Sequence, residues 1–369
     1  MSAREIDARE LDARLRSTEP PIVVDVREPD EVATASLAGA VAIPLGLLDA
    51  QCARALPDRR RSIVVYCASG VRSARAAHAL EASGYSDVTS LAGGITSWRE
   101  HGLPVRTDSL LSPRDRARYA RHVLLPEVGD AGQAKLRAAK VLVLGAGGLG
   151  SPAALYLAAA GVGTIGLVDH DVVDESNLQR QILHRAAAVG QPKVESGART
   201  LAELEPETKL VPLRERLTAE NAAPLFEGWD VIVDGTDNFP TRYVVNDASV
   251  AVGKAVVHGS VLRFEGQVTT FVPDRASSQF GMKATGCYRC LHPKPPPPHV
   301  APSCQEIGVL GVICGVVGTL QATEALKLLL GRGESLAGRL LLYDGLGARF
   351  HELALLRDPR CATCGGVEP

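Results

Sequence analysis

Three groups of side chains in this 369-residue sequence have types and spacings that could do chemistry. The first is Cys67, in SIVVYCASGVRSARAAHAL, where an apolar run ending at Tyr66 gives way to a tight loop and a helix starting near Ser73. Loop N–H groups and a helix N-terminus would face that sulfur, and Arg72 adds positive charge. Such surroundings favour the thiolate and make the cysteine a nucleophile. The plainer alternative is a buried cysteine at a strand end, ahead of an ordinary turn.

The second group is the glycine turn G-A-G-G-L-G, with Gly145, Gly147, Gly148 and Gly150, after the apolar run 141–144. A turn of this kind opens a helix whose free N–H groups attract phosphate. Asp169, at the end of the next apolar run, can bind a ribose hydroxyl. Alone, the pattern indicates a nucleotide without saying which one. Asp171, Asn177, Arg180 and Gln181 follow in DHDVVDESNLQRQ, and Lys193 in VGQPKVE. Hydride transfer has no need of an Arg and a Lys beside a phosphate turn. Attack on the α-phosphate of ATP does, because negative charge builds there in the transition state. Asp237, in DGTDN after the run 231–234, would sit at the carboxyl edge of the sheet, where a carboxylate facing a triphosphate calls for magnesium between them. It could equally be a loop or cap aspartate for a helix beginning at Asn238 or Phe239, and both jobs are compatible.

The remaining group is sulfur. Cys287-x-x-Cys290 and Cys361-x-x-Cys364 match a four-thiolate tetrahedral zinc site, with a redox disulfide as the rival reading. Cys304 lies in a loop-like, proline-rich stretch, while Cys52 and Cys314 have apolar neighbours and read as packing residues.

These residues need scaffolds. Residues 1–106 alternate short β-like runs (22–24, 41–43, 63–66, 88–91) with helical patterns, which predicts a small α/β domain with a parallel sheet. Residues 107–113, TDSLLSP, lack periodicity and read as a linker. Residues 114–369 read as a Rossmann-like ATP-binding domain with a mixed sheet and a structural zinc site. Its opening stretch 114–140 is helical and basic, with Arg118 and Arg121 near one face as solvated charges. The stretch 307–330 reads as a buried apolar helix at the core or at a dimer interface.

Net charge is −2, so nothing points to bulk attraction to nucleic acid or an anionic membrane. The charged N-terminus lacks the pattern of a secretory signal. The longest apolar stretch, 307–320, is interrupted by glycines and falls short of the ~18 residues of a membrane span. A cytoplasmic protein is expected.

VVDVREPDE, AGAVAIP, YCASGVRS and LAGGITSWREHGLPV together resemble a single-domain rhodanese. The resemblance implies a persulfide on Cys67, held by the six-position loop 67–72. Ala35-Ser36-Leu37 departs from the Gly-His usual there, a matter of local packing. Further on, RYARH, GAGGLG, DHDVVDESNLQRQ, GQPKVE, DGTDN, GQVTTF, CYRC, GVLGVICGVVGTLQATEALK and CATCG follow the order and spacing of the MoeB/ThiF family, adenylating enzymes similar to ubiquitin-activating enzymes. That resemblance implies an ATP and magnesium site at Gly148, Asp169, Asn177, Arg180, Lys193 and Asp237. It implies that Arg121 reaches the phosphates from the other subunit of a homodimer, and that Cys304 receives or relays sulfur.

The expectation is then ATP-dependent adenylation of a ubiquitin-like sulfur carrier protein ending in Gly-Gly, followed by sulfur transfer from Cys67 to give a thiocarboxylate. The primary sulfur donor would be thiosulfate or a cysteine desulfurase. The resemblance favours molybdopterin synthesis, with thiamine, tRNA thiolation or a secondary metabolite as alternatives. The rhodanese precedes the adenylating domain, the reverse of the family's usual fusion, which leaves the delivery route within or across subunits open. A reading of another class is an NAD-binding oxidoreductase with a redox-sensing rhodanese module.

Overall fold

The computed structural model describes residues 4–106, 110–296 and 308–365. They form two compact units, Met1–Ser112 and Pro113–Pro369, each with its own sheet.

The first unit holds strands β1 (Glu5–Ile6), β2 (Ile22–Asp25), β3 (Val41–Ala42), β4 (Ile63–Tyr66) and β5 (Val88–Leu91) in the order β1-β5-β4-β2-β3, all parallel. β4 is central and buried along its whole length. Alternation sends Ile63 and Val65 into one core layer and Val64 and Tyr66 into the other, so a run without polar breaks is what a doubly covered strand requires. The helix after Cys67 spans Val71–Ala82 and starts two residues before Ser73, because Gly70 at φ +96° completes the turn.

The second unit holds β6 (Lys140–Leu144), β7 (Thr164–Val168), β8 (Lys209–Leu213), β9 (Val231–Asp234), β10 (Ala255–Leu262), β11 (Glu265–Phe271), β12 (Arg339–Asp344) and β13 (Arg349–Ala354). The sheet order is β13-β12-β11-β10-β9-β6-β7-β8. Strands β8 to β10 in that row are parallel, and β10 to β13 pair antiparallel. The chain runs outward from β6 through β7 to β8, then returns to the other side of β6 as β9. That reversal opens a crevice beyond the carboxyl ends of β6 and β9, the place where open α/β sheets bind ligands. Val141, Val143, Val231 and Val257 pack into one layer, and Leu142, Leu144, Ile232 and Val256 into the other.

The helical stretch 114–140 is divided into three helices, Pro113–Arg118, Ala120–Val123 and Gly129–Ala138, and Lys140 belongs to β6. Pro126 and Gly129 (φ +55°) supply the second break. The apolar helix is Gly311–Leu330, packed on helix Gly150–Ala159 and on β10 and β11. Its length and mean hydropathy of 1.4 would suffice to cross a bilayer, yet half of that stretch is buried inside the fold, so it serves as a core helix. Cys52 and Cys314 are both buried, as packing residues should be.

Candidate active site

In the first unit, β4 delivers Cys67 to the base of a loop where it is 1 % exposed. The Gly70 amide donates to its Sγ at 3.2 Å, and the Ser73 hydroxyl lies 3.5 Å from the same sulfur. Ser90 on β5 donates to Ser73 Oγ at 2.9 Å, so the hydroxyl facing the sulfur is fixed from behind by a second buried serine. Burial alone pushes the thiol pKa up. The Ser73 hydroxyl and the amides of Ser73, Ser69 and Gly70 more than offset it, and the net shift is downward. The carbonyls of Cys67 and Ala68 are taken by the amides of Ile95 and Thr96, which brings Gly94 so close that a Cβ there would lie 2.3 Å from the Cys67 carbonyl oxygen. The loop therefore turns its N–H groups to the sulfur and its carbonyls away.

Arg72 is placed as expected, at the start of the helix, but its guanidinium is not free. It makes two 2.7 Å bonds to Glu31, on helix Pro29–Thr34. That pairing holds the Glu31 carboxyl below the usual range and raises Arg72 above its own, with the charge of Cys67 adding to the latter.

In the second unit the crevice is a cavity of about 550 Å³. Gly145, Gly147, Gly148, Asp169, Arg180, Lys193 and Asp237 all line it. Gly150 and Asn177 do not. Gly150 opens the helix behind the turn, where a Cβ would fall 1.7 Å from the Gly145 carbonyl oxygen, so the turn can close only on glycine. Asn177 is engaged locally, its Oδ1 accepting from the Asp174 amide at 3.3 Å in a capping box.

Asp169 accepts from the Ala146 amide (2.9 Å) with one oxygen and from the Asp171 amide (2.9 Å) with the other. It ties the glycine turn to the end of β7. Lys193 is buried at the start of helix Lys193–Leu204, and its Nζ lies 3.1 Å from Asp171 Oδ2. Asp237 is exposed, and its nearest polar partner is the Asn238 side-chain amide at 3.3 Å. The helix starts at Phe239 with Asn238 as its cap, so Asp237 is released from capping. Arg121, on helix Ala120–Val123, is exposed and does not line the cavity. Cys304 lies outside the described residues.

The two C-x-x-C pairs converge. Cys287 and Cys361 sulfurs are 3.6 Å apart, Cys290 and Cys364 sulfurs 3.5 Å, and all four lie within 4.8 Å of one another. Four thiols so gathered, with no sulfur in a disulfide, suit a closed tetrahedral zinc site and not a two-cysteine redox pair. The cluster ties residues 361–364 to the segment after β11.

Several contributing residues were not legible in advance: Glu31, Ser73 and Ser90 around the sulfur, Asp234 and His258 behind the cavity, and Arg242 in its lining. Glu31 had a signal, since Glu28-Pro29-x-Glu31 is a capping-box helix start, though nothing local tells which arginine it meets. His258 also had one, as a polar residue inside the apolar run of β10.

The fold and cavity define an α/β protein with a glycine turn and cationic side chains in the crevice of its open sheet, joined on one chain to a cysteine-loop domain. The ThiF family profile matches residues 119–363, and the chain belongs to that family; a rhodanese-like domain profile matches residues 7–101. The chain is 51 % identical over 255 residues to the probable adenylyltransferase/sulfurtransferase MoeZ of Mycobacterium tuberculosis, a match covering 69 % of this chain and 64 % of that protein. It is 50 % identical over 248 residues to the sulfur carrier protein adenylyltransferase of Thermus thermophilus, covering 67 % of this chain and 90 % of that one. The chain thus spans just under two thirds of MoeZ. Among solved structures, E. coli MccB with ATP shares the fold at a TM-score of 0.57 and 21 % identity, over 73 % of this chain and 80 % of that one.

Proposed function

We propose that this chain adenylates the C-terminal Gly-Gly carboxylate of a ubiquitin-like sulfur carrier protein and then supplies sulfur to it. The observation that carries this reading is the meeting of Arg180, Lys193 and Asp237 around the glycine turn in one cavity, on the same chain as a buried cysteine held toward its thiolate. A hydride-transferring site has no use for that set of charges. The named activities of MoeZ and of the Thermus protein support the same reading.

In this reading the turn amides and Asp169 seat the nucleotide, and Arg180 and Lys193 face the α-phosphate as the carrier carboxylate attacks and pyrophosphate leaves. Asp237, an exposed hard-oxygen ligand at the cavity edge, would hold magnesium, which shields the phosphate charge. Arg121 would complete the site of a second copy in a homodimer. Carboxylates are poor acyl donors, and the acyl-adenylate supplies the missing leaving group. The terminal sulfur of a Cys67 persulfide then displaces AMP from the acyl carbon, giving an acyl disulfide. A second thiol, Cys304 or an external one, takes the Cys67 sulfur and releases the thiocarboxylate. A further external thiol reduces the resulting disulfide and frees the Cys67 thiolate, which thiosulfate, leaving as sulfite, or the persulfide of a cysteine desulfurase would reload. Molybdopterin synthesis is the preferred destination, and the cytoplasm the preferred location.

The test is mass spectrometry of a Gly-Gly-ended carrier incubated with the protein, magnesium-ATP, thiosulfate and a thiol. Exchange of one oxygen for sulfur at its terminus is expected in the wild type and lost in Cys67→Ala. An unmodified carrier in the wild-type reaction, or full yield from the variant, would overturn the reading.

A further inference from the structure

In the wall of the proposed nucleotide cavity and directly behind it lies a buried polar set that the reaction above does not use, with Arg242 in the lining and Asp234 and His258 behind it. Asp234 ends β9 and is paired in register with His258 on β10. Both are 2 % exposed, and His258 Nδ1 lies 2.7 Å from Asp234 Oδ2, an arrangement in which the ring N–H donates to the carboxylate. The other carboxylate oxygen accepts from the Thr236 amide at 3.0 Å and from its hydroxyl at 2.7 Å. The Thr236 carbonyl in turn accepts from Arg242 Nε (3.2 Å) and a terminal guanidinium nitrogen (2.9 Å). Arg242 is itself buried, on the helix that starts just after the loop. The peptide units on both sides of Thr236 are thus held by buried ionised groups, and the next residue is Asp237. Gln321, from the core helix, donates to the Asp234 carbonyl at 2.7 Å and fixes the end of the strand as well.

Each of these bonds is charge-assisted or buried, the kind that holds a geometry tightly and costs most to break. Asp234 has two oxygens and two loads. Without the His258 N–H, one oxygen of a fully buried carboxylate has no donor. The carboxylate must then rotate or take up a proton, and either response loosens the grip on Thr236.

We infer that His258 is a positioning residue for adenylation: by fixing the Asp234 carboxylate it sets the loop 235–238 and so the place of Asp237 at the cavity edge. The inference rests on the role given to Asp237 above. His258 touches neither nucleotide nor carrier in this scheme, and its whole effect passes through Asp234 and Thr236.

The discriminating pair is His258→Asn, whose side-chain N–H₂ can still donate from about the Nδ1 position, and His258→Phe, which keeps the ring volume and removes the donor. In carrier-dependent ATP–pyrophosphate exchange, His258→Phe is expected to lose at least about tenfold in kcat, with the KM for ATP within about twofold, and to need more magnesium for half-maximal rate. His258→Asn is expected to recover most of the rate. A merely structural histidine would lower the melting temperature in both variants and leave kcat per folded molecule and the magnesium requirement unchanged, which would overturn the inference. Amide hydrogen exchange over 235–241 reads the same question without any activity. Protection should fall in His258→Phe and return in His258→Asn, and unchanged protection would also overturn it. Absence of exchange activity in the wild type would instead count against the adenylation reading, with the amide measurement still deciding the role of His258.

Discussion

Asn238 accepts a hydrogen bond from the Thr241 amide at 2.9 Å and caps helix Phe239–Val252, and its neighbour Asp237 is thereby left exposed at the cavity edge. Two adjacent polar residues, either of which could have served as the cap, have divided the work. Asp237→Ala should abolish carrier-dependent ATP–pyrophosphate exchange while changing stability by no more than about 0.5 kcal/mol, the usual range for an exposed side chain, here one whose hydrogen bond is to the equally exposed Asn238 amide. Asn238→Ala should cost about 1 kcal/mol from loss of the cap. Exchange assays and denaturant titrations on the two variants check the division, and a destabilised Asp237→Ala protein would show that the carboxylate has a structural job after all.

At Cys67, burial opposes ionisation, while the Ser73 hydroxyl and the loop amides favour it more strongly, so the folded pKa lies below the ordinary thiol value. A depressed folded pKa stabilises the folded state above the unfolded value, about 8.5. The contribution disappears as the pH falls through the lower folded value. The ultraviolet thiolate band, taken as the difference between wild type and Cys67→Ala, should titrate at lower pH in the folded protein than in the protein unfolded by denaturant. Ser73→Ala should move that midpoint upward, because it deletes the largest favourable contact. An unmoved midpoint would assign the shift to the backbone amides alone.

Arg72 and Glu31 form the other half of that loop. Their side chains are 33 % and 31 % exposed, so the pair is partly screened and is worth about 1 kcal/mol or less. Glu31→Gln should therefore leave the first unit folded. It should nonetheless loosen Arg72, whose charge acts on Cys67, and slow cyanide-dependent thiosulfate sulfurtransfer. Stability and transfer rate falling in proportion would identify the pair as a plain structural clamp.

The four-cysteine cluster predicts about one tightly held zinc per chain, measurable by elemental mass spectrometry on protein purified without added metal. Cys361→Ser should lose the metal and release the tail that Cys361 and Cys364 anchor, seen as proteolysis near residues 357–365 and a lower melting temperature. Tight retention of zinc by that variant would contradict a four-sulfur site.

Much of this fold could be read from the chain, for identifiable reasons. The runs 63–66, 88–91 and 231–234 become strands with those bounds; in 63–66 the reason is that a doubly covered parallel strand must be continuously apolar, a local pattern, while 88–91 and 231–234 bury Thr89, Ser90 and Asp234 as well. The glycine turn was legible because backbone closeness of 1.7 Å to a would-be Cβ leaves only one residue type. Pairings across the chain were not. Asp234 meets His258 and Arg72 meets Glu31 across sheet and loop, and periodicity carries no information on which distant charges meet. The stretch 114–140 reads as helical, and it is divided into three helices at breaks that include Pro126 and Gly129. Asn177 was grouped with the cavity by its place in the chain, while its side chain closes its own turn.

Arg121 is exposed and apart from the cavity of its own chain, a placement that suits a group acting on the site of a second copy. If it does so, Arg121→Ala and Asp237→Ala should each be inactive alone, yet recover activity when the two proteins are mixed and allowed to exchange subunits. In a mixed dimer, the chain that keeps Asp237 receives an intact Arg121 from its neighbour, while the other site lacks both. Random assortment makes about half of the dimers mixed, each with one working site, so about a quarter of the wild-type exchange rate should return. Sedimentation of the wild-type protein supplies the matching control, because complementation requires a dimer. A mixture that stays inactive although the subunits have exchanged would place Arg121 within its own chain's chemistry, or outside the chemistry altogether.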